Sequence, residues 1–258
     1  MILSRPSPEI SPLDEARARI AAAAVVLCDV DGCLVESEAP CLGAVDFVAR
    51  IGERLRLVTN NSTDLATTLS ARLAAIGLYV PADRIFLAGE RAVDHVARHH
   101  PGAAAMILAS PAIRSRAEEL GLRPTRTRPD VVLLCNDPSF DATRLQRLVT
   151  AAHHGVPIVV ANPDRWRPDR LGRPLIETGA LLAALRAAAP RANVTVVGKP
   201  EPILFRAALA GVDPGNAVMI GDNRETDLVG AEAIGIAAVQ IGRGRLAVGT
   251  DLGALSRS

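Results

Sequence analysis

Short runs of β-branched and aliphatic residues alternate with longer stretches of helical periodicity along most of the chain, and that alternation leaves few folds open. The runs at 25–28, 55–58, 105–108, 131–134, 157–160, 193–197, 217–220 and 237–241 are mostly apolar rather than strictly alternating. Strands buried on both faces of a parallel sheet read this way. Helical stretches at 44–54, 64–76 and 203–210 lie between them, the second stopped by Gly77, which tolerates a left-handed cap. The expectation is an α/β fold built on a mainly parallel sheet.

The 258 residues suffice for one large domain or two modest ones, and 49% apolar with 22% charged residues excludes a disordered chain. A net charge of +1 and six aromatic residues argue against nucleic acid as the main partner. The apolar run at 21–28 is far short of a bilayer span and ends at Asp29, and residues 11–15 mix acids and proline where a leader needs a greasy stretch. Cys28, Cys33, Cys41 and Cys135 lack the spacing of a zinc or redox pair. A cytoplasmic protein with reduced thiols and no membrane partner is expected.

Four of the expected strands end in short polar segments. Asp29-Val30-Asp31-Gly32 follows the first, Thr59-Asn60-Asn61-Ser62 the second, Gly198-Lys199-Pro200 the run at 193–197, and Gly221-Asp222-Asn223 the run at 217–220, with Asp227 five residues beyond Asp222. The carboxyl ends of parallel strands share one edge, where ligands bind. Carboxylates, a hydroxyl, amides and Lys199, the single lysine beside 28 arginines, are thereby expected at one crevice. An ammonium is a compact point charge that a guanidinium cannot imitate.

Carboxylates gathered together repel unless a cation or a proton intervenes. Mg2+ suits such hard oxygen ligands, with Asp29, Asp222 and the Asp31 carbonyl expected to hold it and Asp227 to orient them. Thr59, Asn60, Asn61 and Lys199 suit a phosphate. Asp29 is placed to act as nucleophile, and Asp31, two residues on, as general acid and then base.

The four motifs in this order resemble the haloacid dehalogenase-like superfamily, in its NagD-like, 4-nitrophenylphosphatase branch. Ala161-Asn162-Pro163-Asp164 is similar to that branch's cap motif, making Asn162 and Asp164 candidates to face substrate. The likeness runs from about residue 25 to 242. It implies a Rossmann-like core, an inserted α/β cap, a Mg2+ requirement and phosphatase activity, with Asp29 as nucleophile and Asp31 as acid/base. Cys135-Asn136-Asp137 and Glu177-Thr178-Gly179 depart from the branch's pattern, and both bear on substrate rather than on the reaction.

The 140 residues from Thr59 to Lys199 are too many for one crossover and include strands of their own. The expected division is a core of residues 1–87 and 186–258, with 1–20 as an N-terminal extension, and an inserted α/β domain at 88–185 standing over the crevice. That domain offers a surface for a homodimer. The expected function is hydrolysis of a small phosphorylated metabolite through an aspartyl-phosphate. A phosphomutase or other phosphotransferase of the same superfamily, or a non-catalytic ligand-binding protein on the same fold, are the alternatives. The five histidines fall on expected helices of the insertion and read as solvated, as does the Arg123–Arg128 stretch. The dinucleotide-loop mimic at 242–247 has too little chain after it for a βαβ unit.

Overall fold

The computed structural model describes residues 11–36, 38–169, 171–242, 247–249 and 251–256. Most of the 242–247 loop, and residues 1–10 of the expected extension, lie outside them. In chain order the strands of the two large sheets are β1 (Val25–Cys28), β2 (Leu55–Thr59), β3 (Ile85–Leu87), β4 (Ala104–Leu108), β5 (Arg123–Pro124), β6 (Val131–Leu134), β7 (Ile158–Val160), β8 (Val194–Val196), β9 (Ala217–Gly221) and β10 (Ala237–Gln240). The first sheet has the order β10-β9-β1-β2-β3 and the second β8-β7-β6-β4-β5, every pairing parallel.

Successive residues of β1 serve opposite faces, as strand geometry requires. Val25 and Leu27 enter one apolar cluster, Val26 and Cys28 another. The first of these clusters also takes Ala105 and Ile107 of β4 and Val131 and Leu133 of β6, with Ala92 and Val96 of the helix Ala88–His99 between. One continuous apolar layer therefore joins the two sheets. The other face of the second sheet, Met106, Leu108, Val132 and Leu134, closes against the helices Ala142–His153 and Thr178–Ala188.

One expectation needs correction. The run at 193–197 was placed in the core sheet beside the other motif-bearing strands, but β8 pairs with β7 in the second sheet, Val194 opposite Ile158. Sheet membership follows from which neighbour offers a matching edge, and so short a run carries no mark of that choice. The second sheet thus extends past residue 185, the expected end of the insertion. Further strands have no counterpart in the expected pattern: β3, β5, and two antiparallel hairpins, Val35–Glu36 with Ala39–Pro40 and Trp166–Pro168 with Pro174–Ile176. Within the expected extension, Pro12–Ala22 forms a helix capped by Ser11, whose Arg17 donates to the Ala254 carbonyl at 2.8 Å. No helix among the described residues is long and apolar enough to cross a membrane.

Candidate active site

Asp29 leaves the end of β1 with its backbone N–H bonded to the Ile220 carbonyl of β9, so the neighbouring strand fixes where its side chain begins. The chain then turns back sharply: Gly32 has φ +82°, and a Cβ there would stand 2.5 Å from Asp222 Oδ2. Only glycine meets both conditions, and the turn brings Asp222, from the end of β9, against the Asp29–Asp31 loop. Carboxylate oxygens of Asp29, Asp222 and Asp227 all lie within 4.8 Å of one another.

Lys199 is 2% exposed and Asp227 fully buried. The Lys199 Nζ donates to Asp29 Oδ1 at 2.7 Å and lies 2.6 Å from Asp227 Oδ1. Burial works against the ammonium, but the charges of Asp227 and Asp29 outweigh it and hold its pKa above the usual lysine value. Asp227 is fixed in turn: its Oδ2 accepts from the Asn223 N–H at 3.2 Å, and Asn223 caps the π-helical turn Arg224–Leu228 on which Asp227 sits.

The excess of negative charge registers on the remaining acids. Burial first, and the Asp29 charge second, push both Asp31 and Asp222 up to about 6. Asp31 is solvent-accessible by surface area yet walled by protein on most sides, which is how it feels both effects. Asp222 Oδ1 is buried without a hydrogen-bond partner. An orphaned anionic oxygen beside two further carboxylates is costly as it stands. It is the donor set that a hard divalent cation completes, so the residues present fit Mg2+.

The Thr59–Asp64 loop differs in use from the expectation. The Thr59 hydroxyl, buried at the end of β2, accepts from the Asn61 N–H at 3.1 Å. The Asn60 side chain grips the Lys199 backbone from both ends, Nδ2 donating to its carbonyl at 3.0 Å and Oδ1 accepting from its N–H at 2.8 Å. The Asn61 side chain holds Thr63 and Asp64. Both side-chain amides are therefore engaged within the protein, that of Asn60 on the backbone of the lysine. Asn60→Ala should lower kcat about tenfold and stability by about 1–3 kcal/mol, since two buried backbone groups lose their partners. Parallel kinetic and thermal-melt measurements check it; a melt shift with unchanged kcat would contradict the positioning role.

Asn162 follows β7 and is 1% exposed. Its Nδ2 donates to the Asn60 carbonyl at 2.7 Å and to Ser62 Oγ at 3.2 Å. It ties the second sheet to the Thr59 loop. Asp164 is half-buried, near enough to Asn60 for a side-chain hydrogen bond and to Lys199 and Asp29 to feel their charges; burial raises its pKa. Ser62 was not singled out from sequence. It is a buried hub that meets Thr178 Oγ1 at 3.2 Å and the Asn136 N–H at 3.2 Å as well as Asn162. These partners lie 74 to 116 residues away, so no local signal marks it.

The sequence pattern of haloacid dehalogenase-like hydrolases matches residues 26–123, and a HAD-hydrolase-like pattern matches 196–253. A D-glycerol 3-phosphate phosphatase of Mycobacterium tuberculosis is 31% identical over 220 residues, covering 84% of this chain but only 62% of the relative. Mouse chronophin is 31% identical over 233 residues, covering 83% of this chain and 79% of its own length. Among solved structures, a magnesium complex of a glycerol phosphate phosphatase from Mycobacterium tuberculosis superposes with a TM-score of 0.78 at 29% identity, covering 87% of this chain and 70% of that one. NagD of Escherichia coli superposes at 0.79 with 25% identity, covering 87% and 90%. Fold, carboxylate crevice and relatives together define a phosphoric monoester hydrolase. The chain belongs to the haloacid dehalogenase-like hydrolases, in the NagD and 4-nitrophenylphosphatase branch.

Proposed function

We propose that the protein hydrolyses a small-molecule phosphomonoester through an aspartyl-phosphate on Asp29, with Mg2+ held by Asp29, Asp222 and the Asp31 carbonyl. The observation that carries this reading is the buried Asp29–Lys199–Asp227 group beside the orphaned Asp222 oxygen. When bound, Mg2+ supplies positive charge that lets the carboxylates and an anionic phosphate share the crevice. Asp29 attacks phosphorus, and Asp31 gives its proton to the departing alkoxide. The raised pKa of Asp31 keeps that proton available toward neutrality. Asp31, now ionised, takes a proton from the water that attacks the aspartyl-phosphate. Lys199, held by Asn60 and Asp227, keeps Asp29 oriented and offsets the phosphate's charge. Thr59, at the end of the strand next to β1, is proposed to contact the phosphate through its hydroxyl.

Turnover of 4-nitrophenyl phosphate should cease with chelator and return with Mg2+; chelator-resistant turnover would refute the metal assignment. The pH dependence has a defined sign. Asp31 and Asp222 have folded pKa values of about 6 against an ordinary 3.8. Ionising them in the folded protein is unfavourable, so the metal-free protein loses their share of stability as pH rises from about 4 to about 6. Mg2+ requires the ionised forms and must displace protons below about pH 6. The difference in melting temperature between Mg2+ and chelator samples should be near zero at about pH 5 and level off above about pH 7. A difference that shrinks with rising pH would contradict the carboxylate assignment. A scan of phosphorylated metabolites, scored by phosphate release, identifies the substrate.

A further inference from the structure

A second crevice opens at the carboxyl edge of the second sheet, with a volume of about 850 Å3 and none of the catalytic carboxylates in its walls. Its position follows from topology. From β4 the chain runs to β5 on one side of it and then to β6 on the other, so the strand order reverses between β4 and β6. Ligands of open parallel sheets bind at such a reversal, outside the strand ends. Residues Leu108 and Ala109 leaving β4, and Asp137 after β6, border the opening. The first turns of the helices Pro111–Glu119 and Ala142–His153 also border it, adding the positive ends of two helix dipoles.

Four arginines line this space: Arg114, Arg126, Arg144 and Arg147. Arg144 is engaged, 3.5 Å from Asp137 and 3.4 Å from Asp141. The guanidinium groups of Arg114, Arg126 and Arg147 make no ion pair among the described residues. Asp137 has a side chain 2% exposed, and its Oδ2 has no hydrogen bond, only the Arg144 charge nearby. The crevice thus presents spare guanidinium forks and one buried acceptor. It contains no aromatic side chain on which a nucleobase would stack. Guanidinium forks match phosphate oxygens, and the carboxylate oxygen matches a hydroxyl donor.

We propose that this crevice is a second, non-catalytic binding site for a phosphorylated polyol or sugar, separate from the site of hydrolysis. The arginine-rich segment at 123–128, which reads from sequence as a solvated loop, contributes Arg126 to its wall. The ligand's phosphate lies among Arg114, Arg126 and Arg147, and a hydroxyl donates to Asp137.

The test is calorimetric titration of fructose 1,6-bisphosphate into full-length Asp29→Asn protein, which leaves the bisphosphate intact, with chelator present. The same titration is made into that protein carrying Arg126→Gln and Arg147→Gln. Both arginines are exposed, so the substitutions leave folding intact, which a thermal melt verifies. Each guanidinium removed should weaken the second site by about tenfold. In protein with Asp29 intact, the same two substitutions should leave kcat/KM for 4-nitrophenyl phosphate unchanged. Equal binding with and without the two arginines, or no binding to the Asp29→Asn protein, would overturn the proposal. Loss of binding together with an equal loss of kcat/KM would also overturn it, since the crevice would then be part of the catalytic site.

Discussion

Asp29→Asn protein is expected to fold normally and to turn over 4-nitrophenyl phosphate about 10^4-fold or more slowly than the parent, because an amide cannot form the acyl-phosphate. Stability should move the other way. The Asp29 charge is among the causes that raise the pKa values of Asp31, Asp222 and Asp227, so in the metal-free protein it repels three neighbours. Asp227, 2.6 Å from Lys199 in the parent, remains as the partner of the ammonium when Asp29 is neutralised. The melting temperature in chelator should therefore equal or exceed that of the parent, with the gain largest above about pH 7, where Asp31 and Asp222, raised to about 6, and Asp227, raised to about 7, are ionised. Active sites commonly hold such locally unfavourable charge, and neutral replacements there stabilise at the expense of function. Retained turnover in Asp29→Asn would remove Asp29 from the chemistry. A fall of many degrees in the melt would show the charge to be structural.

Lys199→Met should combine large losses of both kinds. The ammonium is the counter-charge to two carboxylates, at a residue 2% exposed to solvent. Removing it leaves Asp29 and Asp227 facing each other unneutralised, at a cost of about 3–5 kcal/mol. Restoring neutrality separates structure from catalysis. The double variant Lys199→Met, Asp227→Asn should regain most of that stability, because the fully buried carboxylate no longer needs a partner, while turnover stays lost. Lys199→Arg keeps the charge but adds bulk and a planar fork to a space fitted to one nitrogen between two oxygens. Overpacking there should cost about 1–3 kcal/mol, and turnover should remain severely impaired. Denaturant melts and kinetics on the three proteins decide the matter. An active Lys199→Arg enzyme would mean that charge alone matters at this position.

Much of the site was legible in the chain because its chemistry is local. Asp29 and Asp31 lie within three residues of the end of β1, Thr59 ends β2, and Asp222 directly follows β9. An apolar run followed by polar residues marks a strand end whatever the rest of the fold does, and parallel strands put those ends at one rim. The lone lysine among 28 arginines was a compositional signal of the same kind.

What each amide does could not be read in this way. Asn60 and Asn61 look alike in sequence, yet Asn60 clamps a backbone 139 residues away while Asn61 shapes its own turn. Asn162 and Ser62 likewise join segments 100 residues apart. A hydrogen-bonding side chain has no preference for one distant partner until packing has brought it there. Asn162 is a tie between sheets because its burial places the Asn60 carbonyl within reach of its side chain.

The amino-acid order alone marked eight of the ten strands of the two large sheets and the acids and ammonium that follow four of them, since these depend on short-range apolar patterning and on residue type. The tertiary structure alone decided that β8 joins the second sheet and hands Lys199 across to the carboxylates of the first. It also decided that Arg126, from a stretch that reads as surface loop, walls a crevice with arginines from two helices. Both outcomes depend on which edges and faces meet once the chain is compact, and a three-residue strand carries no label for its neighbour.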